Sequence, residues 1–187
     1  MVHAAMAVTA GRTPWSTTQL VTGVLLAGWV VGCDLWVKIV ARAAGCAPDP
    51  AVSWPSAGYA APAGCDAVPL AGPGLALHAV TADGGPFGIM PGLLSAGGGQ
   101  MVALSLLAFA TVVSILVTRW QWRSAGDPLA LGALWGGTLA LSLPRLLGDG
   151  ARVTELSLAG IDTGLGDLAM LWALAWLTWR FVSEARA

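Results

Sequence analysis

Charge is what this sequence has least of. Its 187 residues include nine lysines and arginines and ten aspartates and glutamates, whereas an ordinary soluble domain is about a quarter charged. With 56% hydrophobic residues it falls in the membrane class rather than among water-soluble domains. The formal net charge of -1 leaves no basic excess to meet a phosphate backbone, so no nucleic-acid partner is expected. There are three cysteines and two histidines, with no Cys-x-x-Cys and no Cys/His cluster, so neither a metal nor another cofactor is expected. Tyrosine occurs once, but tryptophan occurs ten times. Trp15, Trp120, Trp122 and Trp179 lie near the ends of apolar runs, where an interfacial aromatic belt belongs.

A helix that crosses a bilayer needs about 20 apolar residues. Four runs meet that length, at 19–41, 99–118, 128–147 and 165–182. Between the first two lies a long Pro-, Gly- and Ala-rich loop, 42–98, in which "LALHAVTA" has the alternation of a short strand. Arg12, Arg119, Arg123, Arg180 and Arg186 fall on one side of the spans, against Arg42 and Arg152 on the other. The positive-inside bias puts both termini in the cytoplasm and the 42–98 loop outside. The expected class is therefore an all-α membrane protein with four transmembrane helices and an extracytoplasmic loop containing short β-strands. Residues 1–18 form a cytoplasmic tail, 19–183 a single domain and 184–187 a second tail. A cleaved signal peptide is the lesser reading of the first run, because that run is too long and contains Asp34 and Lys38. Cys33 reads as a small core residue. Cys46 and Cys65 share the long loop and can pair as a disulfide if it is extracytoplasmic; two unpaired thiols are the alternative.

The few charges inside the apolar runs are the informative ones. In "CDLWVKIVAR", Asp34, Lys38 and Arg42 are spaced by four and stack on one helix face. Each alone would cost about 2.5–3.5 kcal/mol near the bilayer centre. They read either as a self-neutralising pair with snorkelling ends or as a pair that orients a polar site. Asp167 opens the last run, where a carboxylate satisfies helix N-terminal amides. Arg145 and Glu155 approach the same depth, so ionisable groups from several segments converge on one rim. The stretch "GTLALSLPRLLGDG", 137–150, adds a proline and an arginine near the end of an apolar run. Gly136 and Gly137 with Ala140 mark a close helix contact.

These pieces, in this order, resemble lipoprotein signal peptidase (signal peptidase II), a family of four-helix bacterial membrane aspartyl endopeptidases. "DLWVK" matches the family's Asp-x-x-x-Lys at Asp34 and Lys38. "ADGGPFG" resembles its Asn-x-Gly-Ala-Ala-Phe, with Gly84 and Phe87 kept and Ala82 in place of asparagine. "GGTLALSLPR" resembles Gly-Gly-x-x-Gly-Asn-x-x-Asp-Arg at Gly136, Gly137 and Arg145, but has Ala140, Leu141 and Pro144 at three other positions. "RVTELSL" stands where the family has Val-Val-Asp-Phe, and "TGLGD" where it has Phe-Asn-x-Ala-Asp, keeping only Asp167.

The resemblance implies removal of signal peptides from lipid-modified prolipoproteins at the bacterial cytoplasmic membrane. It implies a catalytic pair of Asp167 with Glu155, unless Thr154 takes the second position. Asp34, Lys38, Gly84, Phe87 and Arg145 would bind substrate or support the pair. The implied partners are the prolipoprotein signal peptide and membrane lipids, and the implied state is a monomer. Aspartyl peptidases keep one carboxyl protonated while the other activates water, and the titration belongs to the pair. The "LSLAGIDTGLG" segment between Glu155 and Asp167 is expected to be flexible enough to fold back and bring them together. Ala82, Leu141 and Gly164 replace asparagines that would orient substrate or carboxylate. The alternatives are a degenerate homologue that binds a transmembrane or lipoprotein partner without cutting it, and an unrelated small four-helix membrane protein.

Overall fold

A computed structural model describes residues 15–45, 66, 68–71, 75–82, 98–119, 124–147, 152–158 and 161–186. Within them the chain runs α1 (Thr17–Gly45), β1 (Val68–Ala71), β2 (Leu75–Ala82), α2 (Gly98–Arg119), α3 (Asp127–Leu147), β3 (Arg152–Leu158), β4 (Ile161–Thr163) and α4 (Leu165–Ala185).

The helix starts are written locally. At α1, Ser16 Nα donates to Gln19 Oε1 at 2.9 Å and Gln19 Nα to Ser16 Oγ at 3.2 Å, a reciprocal capping box. At α3, Ser124 Nα donates to Asp127 Oδ2 at 2.7 Å and Gly126 Nα to Ser124 Oγ at 3.3 Å. All four expected helices form. Among the described residues, three of them, α1, α2 and α3, are long and apolar enough to cross a membrane. The fourth, α4, has 21 residues but includes Asp167, Arg180 and Glu184, and it does not meet the same measure.

The bundle is organised around α3. Two thirds of its span (67%) is buried, against 17% for α1 and for α2. It packs on α1, α2 and α4. Adjacent glycines serve different neighbours. A Cβ on Gly136 would lie 2.8 Å from Val30 Cβ and 2.9 Å from the Ala27 carbonyl of α1. A Cβ on Gly137 would strike the Gly166 carbonyl of α4 and lie 2.9 Å from Met170 Nα. Without a hydrophobic force between helices in lipid, such close backbone packing is what associates them. On the α2 side, Trp135 Nε1 donates to Ser114 Oγ at 2.9 Å and Ser142 Oγ to the Ala103 carbonyl at 3.4 Å.

The fold is mostly helical, with short strands in the 42–98 loop as expected and two more, not expected, between α3 and α4. Four antiparallel strands form one sheet in the order β1-β2-β3-β4. The "LALHAVTA" strand is β2. The 156–166 segment, expected to be flexible enough to fold back, does so as ordered strand: the last three residues of β3 pair with β4 at Leu156↔Thr163 and Leu158↔Ile161. The reason is tertiary: the polar pair Thr154 and Glu155 interrupts any alternation in β3, but its backbone pairs with β2 from Leu75↔Leu158 to Ala82↔Arg152, with an irregularity between Leu77 and Val80. The sheet rests on the C-terminal end of α1, where Ala41 and Leu77 are buried among Val37, Val40, Val68 and Leu156. That contact accompanies four more residues of helix than the apolar run alone implies. Cys33 is a free thiol, half-buried in α1. The first 14 residues, Cys46, Cys65, Gly84 and Phe87 lie outside the described residues.

Candidate functional site

Lys38 near Ala140, Ala103 beside Ser142 and Gly166 against Gly137 put four helix ends at one face of the bundle. These are the end of α1, the start of α2, the end of α3 and the start of α4. Both halves of the sheet connect helices at this same face. The buried charges collect there.

Asp167 is fully buried, at the third position of α4. Its Oδ2 accepts from Gly164 Nα at 3.0 Å and from Thr163 Oγ1 at 3.5 Å. Thr163 ends β4 and is itself 3% exposed, so the hairpin and the helix meet at this carboxylate. Helix-start amides favour negative charge there.

Asp34 and Lys38 are 2% and 3% exposed and form an ion pair one helical turn apart, as their spacing implies. Both have a second partner on another helix. Gly166 Nα of α4 donates to Asp34 Oδ1 at 3.0 Å, and Lys38 Nζ donates to the Ala140 carbonyl of α3 at 3.4 Å. A buried pair whose members each make a further hydrogen bond offsets more of its desolvation cost than a bare pair does. Arg145, 1% exposed, donates from its guanidinium to the Leu141 carbonyl at 2.6 Å. The side chain of Arg42 lies outside the described residues, although its backbone continues α1.

Of the residues singled out from the sequence, Asp34, Lys38, Arg145 and Asp167 are thus all buried at one end of the bundle. Glu155 lies on β3 immediately before Leu156, whose Cα partner is Thr163, the residue bonded to Asp167. The side chains of Glu155 and Thr154 lie outside the described residues. Sequence reasoning missed Thr163, the Gly166 amide and the Ala140 carbonyl. A serine or threonine before a helix start is a readable signal for the first. The other two are backbone groups with no side-chain signature. Chemically, the site offers buried carboxylates and backbone-anchored cations within an apolar bundle.

No known family's sequence pattern matches the chain, and no curated protein matches it. Solved structures do share its fold, and two of them are informative. Both are described as bacterial membrane enzymes, determined by the in meso method at 2.3 Å and 1.9 Å resolution. The first is similar with a TM-score of 0.62 at 14% identity, covering 88% of this chain and 89% of that one. The second has a TM-score of 0.55 at 15% identity, covering 86% and 92%. At such identities the likeness concerns the fold, here that of a multi-pass membrane protein.

Proposed function

We propose that this protein is a membrane aspartyl endopeptidase of the signal peptidase II type, a hydrolase that cuts the signal peptide from lipid-modified prolipoproteins in the bacterial cytoplasmic membrane. The observation that carries the reading is Asp167. It is a fully buried carboxylate where the β3–β4 hairpin enters α4, and its Oδ2 is held by the Gly164 amide and the Thr163 hydroxyl. The ordered motif resemblance and the fold shared with bacterial membrane enzymes support the same reading.

In this reading α4 is the fourth span. Its charges are compatible with crossing, because Arg180 pairs with Glu184 one turn on and lies 3.8 Å from Asp127, while Asp167 is buried at the other end. Asp167 and Glu155 form the pair. One carboxylate takes a proton from water as the water oxygen attacks the scissile carbonyl carbon. The other carboxyl, protonated, donates to the departing amide nitrogen, and the C–N bond breaks. Arg145, Asp34 and Lys38 hold helix ends around the pair, and Gly84 and Phe87 contribute from the long loop.

The test is cleavage of a lipid-modified precursor in membranes. Asp167→Asn abolishes it and Glu155→Gln nearly does. Wild-type activity in Glu155→Gln overturns the dyad, because Thr154 beside it has no carboxylate to take the second position. The second reading, a homologue that binds a lipoprotein or transmembrane partner without cutting it, is favoured by one observation. Leu141 and Gly164, at the positions of two family asparagines, have no side-chain amide to orient a substrate. A wild type that captures the precursor uncut selects it.

A further inference from the structure

The structure assigns to the Asp34–Lys38 pair a role beyond neutralising itself: it fills a missing amide in α3 and a missing cap in α4, and so positions Asp167. Its catalytic consequence rests on the reading above; the tie itself does not.

The first defect comes from Pro144, inside α3. In a regular helix the carbonyl of Ala140 accepts from the amide of residue 144. Proline has no amide to give, and its ring crowds the carbonyl four residues back. A carbonyl left without a partner in an apolar bundle is costly. Lys38 Nζ, arriving from α1, donates to that carbonyl at 3.4 Å, a long bond just beyond the usual N–H···O distances.

The second defect is at the start of α4. Helix-start amides have no partner within the helix, and the residue at the N-cap ordinarily supplies one from its side chain. Here the N-cap is Gly164, which has no side chain. Asp167 Oδ2 reaches back to the Gly164 amide, and the Gly166 amide donates instead to Asp34 Oδ1, 132 residues away in sequence, at 3.0 Å. A carboxylate of α1 therefore caps α4 in trans. The capped residue directly precedes Asp167.

Both repairs meet at Ala140 and Gly166. A Cβ on Gly166 would lie 2.8 Å from Ala140 Cβ and 3.4 Å from Asp34 Oδ1, so the two helices and the ion pair are in mutual contact. One i,i+4 pair on α1 thus joins the interruption in α3 to the helix start bearing Asp167. Lys38 and Asp34 are positioning residues: they act on Asp167 through Gly166.

Two measurements on the full chain in detergent decide this. The first is amide hydrogen exchange at Gly166 and Asp167. Asp34→Leu removes the cap and speeds exchange there by about tenfold, and Asp34→Asn, which keeps an acceptor oxygen, does so by less. Unchanged exchange in Asp34→Leu overturns the cap. The second is a double-mutant cycle between Pro144→Ala, which restores the amide, and the paired change Asp34→Asn/Lys38→Met, which leaves no stranded charge. The paired change lowers the folded-to-unfolded ratio by about threefold more in the wild-type background than in the Pro144→Ala background. An additive cycle overturns the link to Pro144. Where the wild type cleaves precursor, the paired change lowers kcat with KM unchanged; unchanged kcat overturns the positioning role. A wild type that cleaves nothing refutes the peptidase reading alone, because exchange and the cycle still read the tie.

Discussion

Gly137→Ala adds a single methyl group where the structure has least room for one. The new Cβ would collide with the Gly166 carbonyl and lie 2.9 Å from Met170 Nα and 3.1 Å from Met170 Cβ. The first two are backbone atoms of α4, which cannot swing aside as a side-chain end can, so α4 itself must retreat. Overpacking of this kind costs about 1–3 kcal/mol. Alanine returns about 1 kcal/mol through its better helix propensity. The net is a loss of about 1 kcal/mol, or roughly a fivefold fall in the folded-to-unfolded ratio. Gly28→Ala and Gly32→Ala provide the control, because nothing among the described residues lies within 4 Å of a Cβ at either position on α1. Those two changes gain up to about 1 kcal/mol. The assay is unfolding of the three variants in mixed micelles, and the opposite sign between Gly137 and the two controls is the expected result. There is a functional consequence as well. The Gly166 carbonyl belongs to the peptide bond that continues into Asp167, so a retreat of α4 moves the carboxylate. A displacement of about 1 Å can cost about 100-fold in rate. A Gly137→Ala protein as stable as Gly28→Ala would refute the packing argument. A destabilised variant with full cleavage activity would refute the coupling to Asp167.

Three further outcomes follow from other parts of the bundle. The Thr138 hydroxyl is fully buried in α3 without a hydrogen-bond partner among the described residues, so Thr138→Val, which swaps hydroxyl for methyl, leaves stability unchanged or raises it by about 1–2 kcal/mol on unfolding in detergent. A clear loss would mean that the hydroxyl is engaged. Asp127→Ala removes the acceptor for the Ser124 amide and the group 3.8 Å from Arg180, and lowers stability by about 1 kcal/mol, with Asp127→Asn intermediate; equal melting of all three proteins would discount that helix start. For topology, reporter fusions at residue 187 give a cytoplasmic signal and those near residue 58 an extracytoplasmic one. A cytoplasmic signal near residue 58 would sink the four-span arrangement.

Much of the helical layer was legible because its signals are local. The apolar runs have the length of a bilayer. The Ser16–Gln19 cap is a local signal too, but the apolar run alone started the helix at residue 19 and left Thr17 and Thr18 in the tail. Asp34 and Lys38 meet because four residues make about one turn, which no tertiary contact has to arrange. The sheet was half legible. β2 shows only a weak alternation, enough for a short strand, and β3 and β4 are strands because β2 and the end of α1 are there to receive them. The role of "PR" was half legible too. Proline's missing amide predicts an orphaned Ala140 carbonyl, but not which donor would reach it.

The sequence by itself determined that this chain belongs in a membrane, where its helices lie, and that its few buried charges are too costly to be idle. Only the tertiary structure decided that Gly136 meets α1 and Gly137 meets α4, because neighbouring residues on a helix point about 100° apart and the neighbours' positions are not local information. Only it decided that Asp34 answers the Gly166 amide. That bond joins groups 132 residues apart, and one of them is a backbone amide that every residue except proline carries. No residue type could have announced it.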